Sequence, residues 1–464
     1  MRNSKKFISL VLAVLMVVTM MPFSALTASA DTGDGLPIIP ISNEYSRFND
    51  YTKYANKAIY INGVDDKYYL TVGNTNHAVD TFTPEAGYTI SGYAYDNNVK
   101  YIFDGPGTVT VTGSQNNYTF TAKVHAVNEN DSTDECVFYI GIPYTPGEAA
   151  IGNTTYETFA EALAAAQTGD TITLLKDVAV DSTIVLNDGR NITIDTNGND
   201  ITSTVRVFEI RHGGVTLTGN GTVSTTASSA VAVYGSKNSA DADYATFTLD
   251  EGTRISAPSG YGAMIGANSK AAYGAKLTIN GTINSQYGVY VNGNVQEPAD
   301  KTNAAQVTIG GTVTASSENA AAYAAGYAKW TVNDGAAITG GSGIYIKSGD
   351  LVVNGGTITA TGAKTDYVFN SNGANGTGDA IIIDSCGYPG NVPTVAINAG
   401  TVRSTNGKAV ASYAKQDDPR YPDATFEKVD EVIPGNSTAV FSSDVTDLAE
   451  AGYEAKQNSQ GMYV

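Results

Sequence analysis

From residue 192 onward, apolar and polar positions alternate in short bursts that recur. The unit reads apolar-Thr-apolar, then Asn, Asp or Gly, then Gly-Thr-apolar, as in Leu277-Thr-Ile-Asn-Gly-Thr-Ile283. Counted at the second apolar residue, copies fall at 194, 217, 249, 279, 309, 332, 353 and 397, giving steps of 23, 32, 30, 30, 23, 21 and 44. Between copies lies another short apolar burst, such as Val231-Ala-Val233, Gly288-Val-Tyr-Val291 or Gly343-Ile-Tyr-Ile346. Each repeat therefore predicts two strands around a glycine turn and then a third. A single coil of that length cannot bury its own apolar face, so coils must stack. The expected architecture is all-β, a right-handed parallel β-helix. Strand alternation places Leu277, Ile279 and Ile283 inside and Thr278 and Thr282 outside. Separate small sandwiches are excluded by repeat length, which is too short for independent cores.

Ahead of the repeats, Thr158-Phe-Ala-Glu161 has the form of a capping box, and Phe159, Ala162, Leu163 and Ala166 share one helical face. A helix over 158–167 is expected to cover the open N-terminal edge of the β-helix, with Gly169 as its stop. Everything beyond it reads as β. Residues 31–147 differ, holding 13 of the 29 Tyr. Alternating runs at Ala58–Asn62, Lys67–Val72, Tyr88–Ser91, Val99–Phe103, Thr108–Thr112, Tyr118–Val124 and Cys136–Ile140, with turns at Asn62-Gly63 and Asp104-Gly105, predict a small Ig-like β-sandwich. The β-helix region with its terminal caps then runs over 148–464.

Residues 1–30 read as a secretory signal peptide. Arg2, Lys5 and Lys6 precede an apolar run from Phe7 to Phe23, and Ala28-Ser29-Ala30 supplies a cleavage site. No later stretch approaches the ~20 apolar residues of a membrane span, so a soluble exported chain without a transmembrane segment is expected. The net charge of -19 argues against a nucleic-acid partner, which needs a basic surface. The two cysteines, Cys136 and Cys386, fall in different regions and are expected to be unpaired thiols.

The segment Tyr156–Asp177, followed by Ile192-Thr-Ile-Asp-Thr-Asn-Gly-Asn-Asp-Ile201, resembles the opening of exported right-handed parallel β-helix proteins of Gram-positive, often gut-dwelling, bacteria. Phe441–Val445, Ala451-Gly-Tyr453 and Gly461-Met-Tyr-Val464 are similar to the closing segment of that group. The resemblance covers about 151–464. It implies the broad pectate-lyase-like superfold and carries over no functional residue, because fold does not fix function.

Candidate chemistry is sparse. The three His show no zinc spacing, no nucleophile elbow occurs, and Asp195–Asp200 has the wrong ligand spacing for a calcium loop. No metal or cofactor is implied. If the chain is a polysaccharide lyase or glycoside hydrolase, Asp379, Asp384 and Lys364, gathered in the 44-residue step, are the residues that could converge. The paired-Asp, Gly-His-Gly and Arg-Ile-Lys signatures of β-helix polygalacturonases are absent. A threonine ladder (Thr193, Thr216, Thr248, Thr278, Thr308, Thr331) reads as ordinary strand surface and not as an ice-binding face.

Inserts at 235–245, 266–276, 292–306, 325–329 and 370–394 all follow the third strand, so they stack into one rim. Tyr244, Tyr273, Tyr327 and Tyr388 lie in them, and Tyr290, Tyr323 and Tyr345 take the outward phase beside them. Left exposed, such a ladder could stack on sugar rings; the alternative, which the sequence favours, is that the tyrosines pack on their neighbours and stiffen the helix. The expectation is a non-catalytic secreted or cell-surface recognition protein, adhesin-like, binding a polysaccharide or cell-surface glycan. A structural envelope spacer is the third alternative.

Overall fold

The computed structural model describes residues 38–40, 81–82, 93–96, 99–114, 117–144, 147–152, 154–236, 244–266, 272–371, 376–387 and 392–464. The expected signal peptide and the runs at 58–62, 67–72 and 88–91 lie outside the described residues. Among the described residues, no helix is long and apolar enough to cross a membrane. The chain divides into two compact units, changing over between Gly147 and Glu148.

The described part of the first unit is one six-stranded sheet. Its centre is an antiparallel meander of Val99–Ser114, Asn117–Asn128 and Asp131–Tyr144. Asp104-Gly105 does not turn the chain, as the sequence suggested. The register against the neighbouring strand shifts between Asp104 and Thr108, so the Gly-Pro-Gly stretch is absorbed as an irregularity within one long strand.

The second unit is dominated by a 26-stranded sheet whose coils pair in parallel. Each coil contributes to three faces. The first carries the apolar-Thr-apolar strands, Ala245–Leu249, Ala275–Ile279, Gln306–Ile309 and Lys329–Val332 among them. The second carries Arg254–Ala257, Thr282–Ser285, Thr312–Thr314 and Ala337–Gly340. The third carries Tyr261–Ile265, Val289–Val291, Ala320–Ala324, Ser342–Ile346, Ile381–Ser385 and Val410–Ala414. Register follows the sequence repeat: Phe247, Leu277, Val307 and Trp330 are successive partners.

The alternation lands as the pattern requires. Leu277, Ile279, Ile283, Val289 and Val291 are at most 1% exposed, while Thr278 and Thr282 are half-buried. One continuous apolar cluster runs from Ala149 to Val445, which excludes separate cores. Each fully buried Val, Leu or Ile contributes about 1.5–3 kcal/mol, and only stacking on both sides dries these positions. Glycines let coils approach at the corners: a Cβ on Gly281 would sit 2.4 Å from the Thr253 carbonyl oxygen.

The helix forms over Phe159–Ala165. Thr158 Oγ1 accepts from the Glu161 N–H at 3.2 Å, and the Thr158 N–H donates to Glu161 Oε2 at 3.1 Å, completing the capping box. Phe159, Ala162, Leu163 and Ala166 join the apolar cluster. Arg190 Nη1 donates to the carbonyls of Leu163 and Ala166 at 2.6 and 2.7 Å, satisfying acceptors the helix end leaves free. The remainder is not purely β: short 3-10 turns form at Lys301–Asn303, Lys415–Asp417 and Thr446–Leu448.

Candidate functional site

The outward residues of the third face are aligned by parallel register, Tyr290 against Tyr323 against Tyr345. The rings of Tyr290 and Tyr323 stack at 5.5 Å, and Tyr323 and Tyr345 meet at 5.6 Å. The stack extends one coil further than the sequence reading took it, through Tyr261, 4.7 Å from Tyr290 and 4.9 Å from Tyr287.

The tyrosines pack on their neighbours, as the favoured reading expects, and the exposed-ladder alternative fails for Tyr323 and Tyr345. Tyr323 is 1% exposed and Tyr345 4%, because they form a second apolar cluster with Ala320, Ala325 and Ile382, outside the coil interior. Residues following Ala360 contribute to this cover, since the Tyr367 hydroxyl reaches Asp384 on the third face and Phe369 lies near Lys347. The rings of Tyr261, Tyr290 and Tyr323 are moreover stacked face on face, whereas Tyr345 is tilted by 56° against Tyr323. Tyr261, Tyr287 and Tyr290 are half-buried.

The rim tyrosines do not form one surface. Tyr327 is 1% exposed, and its hydroxyl donates to Asp350 Oδ2 at 2.7 Å. Burial and that carboxylate push its pKa up to about 12. Tyr273 is half-buried and bridges Ser236 through the main chain. Tyr244 is exposed, with Lys276 Nζ 4.5 Å from its ring centroid. Tyr388 lies outside the described residues.

The two candidate carboxylates are both fully buried. Asp379 Oδ2 accepts from Lys364 Nζ, Tyr413 OH and Thr377 Oγ1, each at 2.7 Å, and its Oδ1 accepts from the Lys408 N–H at 2.7 Å. Burial alone would raise its pKa, but these donors outweigh burial and hold it below the ordinary carboxylate range. Asp384 accepts from Tyr345 OH at 2.8 Å and Tyr367 OH at 2.6 Å. Lys347 Nζ, also fully buried, lies 4.0 Å away and donates to the Asn370 carbonyl oxygen. Burial pushes the Asp384 carboxyl up and the Lys347 ammonium down, so both lean toward neutral forms. The rings of Tyr367 and Tyr413 stack at 4.6 Å and join the two networks.

Asp379 and Lys364 thus converge as the sequence suggested, and Asp384 stands nearby with a different lysine. Lys347, Tyr367 and Tyr413 were not identified from sequence. The one signal for Lys347 was a lysine directly after the apolar Gly343-Ile-Tyr-Ile346 run. With every carboxylate oxygen occupied and shielded, neither Asp is presented to a substrate.

Beside this network opens a cleft of about 710 Å³. Tyr345 lines it together with Ser317, Glu318, Thr361, Thr365, Asp366 and Val368. Backbone bonds fix the walls: the Gly376 N–H donates to the Glu318 carbonyl at 3.0 Å, and the Thr365 N–H to the Thr377 carbonyl at 3.0 Å. Residues 372–375, between Asn370 and Gly376, lie outside the described residues. Among the described residues, no cluster of His, Cys, Asp or Glu could hold a metal ion. Comparison with known proteins gives no family: no family model, no curated protein and no solved structure matches the chain.

Proposed function

We propose that this chain is an exported, non-catalytic recognition protein, secreted or displayed on the cell surface, that holds a glycan in the cleft over Tyr345. In this reading the stacked coils form a right-handed parallel β-helix whose N-terminal edge is covered by helix 159–165. One observation carries it. The acids of the 44-residue step, Asp379 and Asp384, are buried and saturated by their own neighbours, whereas Ser317, Thr361 and Thr365, with Tyr345, Val368, Glu318 and Asp366, line the accessible concavity. A concave wall of hydroxyls beside the exposed apolar side chain of Val368 suits a sugar, which presents both hydroxyls and C–H faces. A lyase or hydrolase built on Asp379 and Asp384 would need those carboxylates facing that space.

The test is one assay on purified protein: a glycan array beside polygalacturonate and neutral polysaccharides, with product release followed. Binding without turnover, lost in Gly376→Val, is expected. A Cβ at Gly376 would lie 2.5 Å from the Gly341 carbonyl carbon and displace the wall. Release of unsaturated or reducing sugar would overturn the non-catalytic reading. Export is checked by the mature N-terminus, expected at Asp31.

A further inference from the structure

The charge lining the cleft is one-sided. Glu318 and Asp366 are the only carboxylates among the described residues that line it, both exposed and with no side-chain hydrogen-bond or ion-pair partner among the described residues. No basic residue is among the described residues that line it. The two nearest lysines are withdrawn. Lys347 is fully buried, with its ammonium 5.2 Å from the Tyr345 ring centroid and bonded to the Asn370 carbonyl. Lys364, between two lining residues, turns its ammonium onto Asp379 at 2.7 Å and the Tyr413 hydroxyl at 3.0 Å.

We infer that the cleft selects glycans by charge, accepting amine-bearing and neutral sugars and rejecting carboxylated ones such as uronates. This deepens the glycan-binding reading and rests on it. A uronate entering would bring its carboxylate beside two unpaired carboxylates with no cation to offset them. An amino sugar would meet two free acceptors. The selectivity is expected to be modest, since each exposed ion pair contributes a factor of roughly two to five.

The experiment compares oligomers of glucosamine, N-acetylglucosamine and galacturonic acid of matched length, by titration calorimetry on the full chain at low and high salt. Glucosamine oligomers should bind about five- to tenfold more tightly than the N-acetylated ones at low salt, with the gap closing at high salt. Galacturonate oligomers should bind weakest. The double variant Glu318→Gln, Asp366→Asn should bind all three alike while keeping its affinity for the neutral oligomer. Equal or preferred binding of galacturonate overturns the charge selection and leaves the glycan reading standing. Selectivity that survives in the double variant overturns its assignment to this cleft. Binding of none of the three, with no glycan bound on the array, overturns the glycan reading itself.

Discussion

Replacing Asp384 by Ala should release the 361–371 segment from the third face. Asp384 is the shared acceptor for Tyr345 and Tyr367 and the charge partner of Lys347, all with little or no exposure. Its removal strands two buried hydroxyls, each costing about 1–3 kcal/mol, and takes away the carboxyl 4.0 Å from the Lys347 ammonium, which keeps its bond to the Asn370 carbonyl. The sum, about 3–5 kcal/mol, matches what breaking a buried pair from one side costs. Taken up locally, this raises opening of the segment roughly a hundredfold or more. Hydrogen exchange read by mass spectrometry is the assay, because a stack of coils need not unfold in one step. The peptide spanning 365–371 should exchange faster, including the Phe369 amide, which donates to Asp418 Oδ2 at 2.8 Å. A distant peptide covering 215–223 should not change. Tyr367→Phe should cost only about 1–2 kcal/mol, since the carboxylate keeps its other partners. The reasoning fails if Asp384→Ala accelerates exchange less than about tenfold, or if Tyr367→Phe proves equally damaging.

Acid should loosen the neighbouring network first. Asp379 has a folded pKa below its ordinary value, so it contributes stability that is present above about pH 4 and lost as pH falls through the folded value. Asp379→Asn should flatten that acid limb in a denaturation series against pH. Gly288 has φ of +65°, and a Cβ there would lie 1.9 Å from the Ala321 carbonyl oxygen. Gly288→Ala should therefore cost about 2–5 kcal/mol and speed exchange across 286–291. The free thiol of Cys386 is 4% exposed. It should resist alkylation in the native protein and react after unfolding in urea, as mapped by peptide mass. The same thiol should become reactive in Asp384→Ala.

Local and periodic features were legible in the sequence. Thr158 and Glu161 announced their helix because a capping box needs only residues three apart. The alignment of Tyr290, Tyr323 and Tyr345 followed from counting strand phases in successive coils. Their burial did not follow. It depends on where the residues after Ala360 travel, and a non-repeating stretch carries no period to count. Asp379 and Lys364 could be paired because both sit in that stretch. Tyr413, one coil later, joins them only through the parallel register of Ile381–Ser385 with Val410–Ala414. Asp104-Gly105 misled for a related reason: a turn-forming pair inside a long strand is indistinguishable by composition from one ending it.

Coil length varies from 21 to 44 residues, yet Val307, Trp330, Leu351 and Val395 remain consecutive partners. The extra chain is taken up at the corners flanking the third face: after it in the 30- and 32-residue coils, and mainly before it, between Ala360 and Ile381, in the 44-residue coil. Length at those corners is thereby uncoupled from the register of the first face. Foreign peptides spliced there would ride on an unchanged scaffold, each displayed at a height fixed by its rung.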